Sequence, residues 1–272
     1  MESPALLLLG VGQVALAAAN AVKAERRVVG TTRQPMRIFE LFHESIEPIV
    51  MPWPSAEVIE PLARDADVLV SIPPDGSTDA ILAPACLNSR CVVYISSTGV
   101  FGSTEGKIDD STPVDSQDKH ATLRIEAEKI WRSIGANVVR APGIYGPSFG
   151  LHKRLRDGSF RLPGDGSRLS SRIHVDDLAA LVLALFASGK HSDTFVVGDL
   201  KPASHKEVAQ WLCDRLELPL PESAPLDALH YTLRANRAVD PSRALNELGV
   251  QLKYPTYKEG YQAILSAEPA AE

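Results

Sequence analysis

The stretch ALLLLGVGQVALAAANAV, residues 5–22, decides how the rest of the chain is read. An apolar run of this length resembles an export signal or a membrane span. An export signal needs basic residues ahead of its apolar core, and here only Glu2 precedes the run with a charged side chain. Gly10, Gly12, Gln13 and Asn20 interrupt the run, dividing it into a short apolar strand, a glycine turn and a helix of small residues. The expectation is a cytoplasmic protein without a membrane span.

Beyond that opening, apolar runs alternate with amphipathic stretches: RRVVGTT (26–32), IEPIVMP (46–52), DADVLVSIP (65–73), RCVVYISS (90–97) and NVVRAP (137–142). Short β-branched runs separated by helix-length connections predict βαβ units and a doubly wound α/β core, its parallel sheet buried on both faces. The core is expected over residues 1–145. Residues 175–198 complete it with a helix in VDDLAALVLALFA (175–187), capped by Asp176 or Asp177, and a strand in DTFVVGD (193–199). Residues 146–174 and 199–272 read as a small C-terminal lobe, with a capping box at Ser204 and Glu207 and a frayed tail, SAEPAAE (266–272).

The composition fits this class. Of 272 residues, 44% are hydrophobic and 23% charged, enough for an ordinary buried core. The net charge of −6 comes without a block of like charge, which excludes a nucleic-acid footprint and leaves a small neutral or cationic ligand open. Cys86, Cys91 and Cys213 show no CxxC spacing and read as reduced cytosolic thiols. No metal site is expected; His174, Asp176 and Asp177 read as helix-capping residues.

Gly10 and Gly12 directly follow the first strand, and Ala15 takes the third small position of the dinucleotide fingerprint. The first glycine permits the tight turn, and the second lets backbone approach a pyrophosphate. The small third residue lets the helix lie close to the strand, and the helix start at Gln13 and Val14 turns its free N–H groups toward the phosphates. The second strand ends in Thr32 and Arg33, where an NAD-selective protein usually places a carboxylate for the ribose 2′-hydroxyl. A threonine donor and a guanidinium suit a 2′-phosphate instead, so the expected cofactor is NADP(H).

Four further motifs carry a family resemblance. SSTGVFG (96–102), RAPGIYGP (140–147), SRIHVDDLA (171–179) and KYPTYKEG (253–260), read with the glycine turn, resemble the extended or atypical short-chain dehydrogenase/reductases of the NAD-dependent epimerase/dehydratase-like branch. The resemblance implies a Rossmann-like fold. It also implies Ser97, with Thr98, as a catalytic hydroxyl. Ser71, Ile72 and Pro73 are expected beside the adenosine ribose and Trp53 over the adenine. Ser96, Pro142 and Ile144 are expected beside the nicotinamide, and Tyr145, Arg168 and Arg172 facing the substrate.

The family's YxxxK pair is missing. Glu128 in DKHATLRIEAEK (118–129) sets the register and places His120 at the tyrosine position and Arg124 at the lysine position. Residues four apart on a helix share a face, so both are expected to point at the nicotinamide. An imidazole exchanges protons near neutral pH without a cationic helper.

These expectations amount to an NADP(H)-dependent oxidoreductase, or a redox epimerase or dehydratase, acting on a small polar, sugar-like substrate. The alternative is a non-catalytic NADP(H)-binding redox sensor or scaffold, which the missing pair permits. A Ser97–His120 hydrolase lacks the G-x-S-x-G elbow. Pairing into a homodimer through core helices is open, with residues 118–133 one candidate face.

Overall fold

Seven of the apolar runs become strands: β1 (Leu6–Leu9), β2 (Val28–Thr32), β3 (Glu47–Val50), β4 (Asp67–Val70), β5 (Cys91–Ser97), β6 (Asn137–Ala141) and β7 (Thr194–Val196). They form one sheet in the order β7-β6-β5-β4-β1-β2-β3, each neighbour parallel. The order reverses between β1 and β4, and loops leaving the two strands there diverge to open a crevice at their carboxyl ends. The computed structural model describes residues 3–268.

Strand alternation divides the core into two layers. Leu6 and Leu8 face helix α1 (Gln13–Val22), while Leu7 and Leu9 face the opposite layer. Helices α2 (Ile38–His43), α3 (Ala56–Ala63), α4 (Thr78–Ala85), α5 (Thr122–Ser133), α6 (Leu151–Arg156), α7 (Val175–Ser188), α8 (His205–Leu216), α9 (Ser242–Leu248) and α10 (Tyr257–Ala267) complete the order. Leu41 of α2, the apolar face of α7 and Ala244 of α9 join the α1 layer; Ile59, Leu82 and Trp131 bring α3, α4 and α5 to the other. A separate cluster of Tyr145, Phe160, Leu162, Val208, Leu212 and Tyr261 packs α8 and α10 beside the sheet. Short parallel pairings stitch distant segments outside the sheet: Gly143–Tyr145 with Arg172–His174, and Gly106–Ile108 with Arg237–Val239.

Three local expectations need correction. The start of α7 is capped by His174, whose Nδ1 accepts from Asp176 N at 3.2 Å; Asp177 instead accepts from Lys253 N at 2.7 Å and Tyr254 N at 3.1 Å, tying the C-terminal segment down. Ser204 does cap α8 by accepting from Glu207 N at 3.0 Å, but Glu207 turns its carboxylate to the Tyr257 hydroxyl at 3.0 Å. The reciprocal box is formed by Thr256 and Glu259 at α10. The tail begins in order, because α10 continues to Ala267 and Glu268 pairs with Lys153 and Arg156; the last four residues of SAEPAAE lie outside the described residues.

One buried carboxylate locks α5 against the sheet. Glu128, 2% exposed, accepts from Ser96 Oγ at 2.6 Å, Arg140 Nε at 3.1 Å, Arg140 Nη2 at 2.9 Å and Arg132 Nη2 at 2.7 Å. Replacing it leaves Arg140 buried without its counter-charge. Glu128→Ala should therefore lose about 3–5 kcal/mol of stability in denaturant unfolding; a loss under about 1 kcal/mol would contradict this account of the lock.

Candidate functional site

The crevice is built on the glycine turn. Gly10 has φ +83°, and a Cβ there would lie 2.7 Å from Ile72 Cγ2, so glycine is required by both conformation and space. Its amide donates to Thr31 Oγ1 at 2.9 Å, and its carbonyl accepts from Ser71 Oγ at 2.7 Å, which braces the turn between β2 and the end of β4. Gly12 differs: a Cβ there meets nothing within 4 Å, so the backbone faces open space at the start of α1. No side chain caps that helix, and its first turn carries no acid. With Ala15 fully buried against the sheet, the arrangement fits a pyrophosphate lying on the helix N-terminus.

At the end of β2 a cavity of about 510 Å³ is lined by Gly10, Gly12, Thr32, Arg33, Arg37, Ser71, Ile72 and Pro73 among others. Thr32 Oγ1 accepts from Gln34 N at 3.1 Å, turning the chain there. Arg33 Nη2 lies 3.1 Å from Asp75 Oδ2 and 3.1 Å from Thr78 Oγ1, with its side chain 59% exposed. Hydrogen bonds from Thr78 and Ser77 hold the Asp75 carboxyl well below the usual range, so this partner is ionised. Arg37 was missed from sequence. Pro35 opens a short 3₁₀ turn that carries Arg37 back under the glycine turn, where Nη1 donates to Val11 O at 2.7 Å. Trp53 does not cover this cavity. It is 82% exposed in a bend between Pro52 and Pro54, and Met51 and Pro54 take the wall position expected of it.

A second cavity, about 280 Å³, shares Gly12, Ser71, Ile72 and Pro73 with the first and is also lined by Gln13, Val14, Ser96, Ser97, Arg124, Pro142 and Ile144. Ser96 reaches it without its hydroxyl, which donates to Glu128. Ser97 Oγ accepts from Gly99 N at 3.0 Å, so its own proton is free to be donated into the cleft.

A third cavity, about 570 Å³, shares Ser97 and Pro142 with the second and adds Thr98, His120, Arg168, His205, Tyr231 and Arg237. The three spaces run end to end across the carboxyl edge of the sheet. His120 and Arg124 do not share a helix face. Asp118 Oδ1 accepts from His120 N at 2.7 Å and Ala121 N at 3.2 Å, holding a turn, and α5 starts only at Thr122. His120 therefore faces the third cavity, its ring stacked on Tyr231 at 4.3 Å and 6°, while Arg124 lines the second.

Tyr145 and Arg172 are buried behind the wall, 2% and 7% exposed. The Tyr145 ring stacks on Tyr261 at 4.4 Å, and burial raises its phenol above the ordinary value. Nearby, burial pushes Asp199 up to about 7. Burial and the charges of Arg172, Arg154 and Arg168 push His205 down to about 4, so it lines the cavity as a neutral imidazole at pH 7. Sequence reasoning also missed Tyr231 and Arg237, for which no local pattern exists.

A sequence profile of the NAD dependent epimerase/dehydratase family matches residues 77–198. Among solved structures, a conserved protein of unknown function from Silicibacter pomeroyi DSS is 29% identical, with a TM-score of 0.85 over 97% of this chain and 99% of that one. The dTDP-glucose 4,6-dehydratase of Bacillus anthracis str. Ames, solved with NAD, is 17% identical with a TM-score of 0.80, covering 97% of this chain and 96% of that one. The UDP-glucuronic acid 4-epimerase of Bacillus cereus, also solved with NAD, is 16% identical with a TM-score of 0.75, covering 96% and 99%. At such identities the last two share the fold. Among the described residues no helix is long and apolar enough to cross a membrane. Residues 77–198 thus resemble the NAD dependent epimerase/dehydratase family, and the sheet order and glycine turn give the whole chain the Rossmann-like fold of these neighbours.

Proposed function

We propose that the protein is an NADP(H)-dependent oxidoreductase or redox epimerase/dehydratase acting on a small polar, sugar-like substrate. The observation that carries this reading is the unbroken run of three cavities, with the open side of Gly12 at its centre and Ser97 where the second meets the third. Residues 1–145 and 175–198 would hold the cofactor, and residues 146–174 and 199–272 would supply the lobe that selects the substrate. Arg33 and Arg37, at the adenosine end, favour a 2′-phosphate, with Arg33 exchanging Asp75 for it.

When bound, the nicotinamide supplies or accepts the hydride. Ser97 would donate a hydrogen bond from its free O–H to the substrate oxygen, Arg124 would hold the nicotinamide ribose, and His120 would give or take the one proton that accompanies the hydride. The sensor reading draws on one observation, the exposed position of His120 outside the helix and its flat stack on Tyr231.

Two measurements test these assignments. NADPH should bind at least tenfold more tightly than NADH in direct titration. Arg33→Ala and Arg37→Ala should each weaken NADPH roughly tenfold and leave NADH nearly unchanged. Equal or NADH-favouring constants would refute NADP(H) selectivity. For the chemistry, His120→Asn should lower turnover roughly a hundredfold in NADPH-absorbance assays over a panel of sugar carbonyls, with NADPH affinity retained; turnover equal to wild type would remove His120 from the mechanism.

A further inference from the structure

The whole chain is acidic, at −6, yet the third cavity holds a buried cation, Arg237, that is in no ion pair among the described residues. Arg237 lies in the segment Arg237–Val239, paired with Gly106–Ile108, and is 8% exposed. Its Nη1 donates to Thr98 O at 2.9 Å, the carbonyl immediately after Ser97. Among the described residues no carboxylate comes within 4.0 Å of it, whereas the buried Arg26 and Arg140 each have one, Asp67 and Glu128. Arg172 also lacks one, but it lies behind the cavity wall beneath the Tyr257 ring.

The other charged groups around the cavity are already engaged. Arg168 pairs with Glu105 and donates through Nε to Arg234 O, and Arg234 is spent on the carbonyls of Leu229 and Asp227. His205 is neutral, as argued above. Asp118, the acid whose field reaches Arg237, is tied to the amides of His120 and Ala121. Burial pushes the Arg237 guanidinium downward, and the field of Asp118 offsets this only in part. An isolated buried cation is costly unless an anion reaches it, and a planar guanidinium receives a carboxylate or phosphate through two parallel N–H bonds.

We infer that the cleft takes an anionic substrate, a sugar acid or sugar phosphate whose acid group is received by Arg237 while the reacting carbon lies at Ser97. The inference rests on the reading of the cleft as the substrate site of a reductase or epimerase. It narrows that reading to one charge class and assigns Arg237 as the specificity-determining residue. The tie to Thr98 sets the distance between the acid group and the reacting carbon, because one side chain contacts the strand end and receives the anion.

The test is calorimetric titration of the full chain, with and without saturating NADP⁺, by glucuronate, glucose 6-phosphate and glucose. At least one acid should bind roughly ten- to hundredfold more tightly than glucose, and the tighter of the two identifies carboxylate or phosphate as the natural group. Arg237→Gln should abolish the preference and Arg237→Lys should retain part of it, with NADP⁺ affinity unchanged in both. Acids binding no better than glucose to the wild-type chain would overturn the inference, as would a preference that persists in Arg237→Gln. Should Arg237→Gln fail to fold, the wild-type comparison and the Lys variant still decide. NADP⁺ binding without an acid preference defeats this inference alone; an acid preference without NADP⁺ binding defeats the cofactor reading and leaves the anion site standing.

Discussion

A carboxylate withdrawn from water must be met by donors from every side, and Glu128 is met from three elements at once. Ser96 belongs to the end of β5, Arg140 to β6 and Arg132 to α5 itself. This requirement fixes the height of α5 along the sheet, because any slip of the helix would strand both Glu128 and Arg140 in an apolar layer that includes Tyr94 and Trp131. The strand end that carries Ser97 and the helix that carries Arg124 thus hold a fixed spacing.

Along that cleft the electrostatic character changes. Near the glycine turn the field comes from peptide dipoles at the start of α1, which has no acid in its first turn. At the β2 end it comes from Arg33 and Arg37, each already leaning on a carboxylate, Asp75 and Glu40. At the far end it comes from Arg237, which leans on none within ion-pair distance among the described residues. Net charge therefore says little about the sign of a cavity. Some of the acids that make the chain negative lie on surface turns, as at Asp109, Asp157 and Asp165, where neighbouring hydroxyls and amides favour the ionised form.

Much of this was legible in the sequence because it depends on local pattern. Runs such as VLVS and VVYI report a buried parallel strand by composition alone, and Gly10 and Gly12 report their turn by position. The register drawn from Glu128 expected His120 and Arg124 on one face of a helix; in the structure they line different cavities. The assumption of a continuous helix between them failed because Asp118 closes a turn through backbone amides and delays α5 to Thr122. Trp53 failed for a related reason: flanking prolines, not the preceding strand, determine where its ring goes. Tyr231 and Arg237 were invisible because their roles arise from a return of the chain across more than a hundred residues. Spacing rules do not reach that far.

That return has a temporal side. The walls nearest the glycine turn come from residues 10–82, so they are available early as a chain emerges and folds from its N-terminus. The far wall is different: Arg237 meets Thr98 across 139 positions, and Asn236 meets Glu105 across 131. Contacts that distant close large loops and form late. A growing polypeptide would hence acquire the crevice at its glycine turn well before its second compartment exists, and the last segment to arrive would add the far wall to an open ledge.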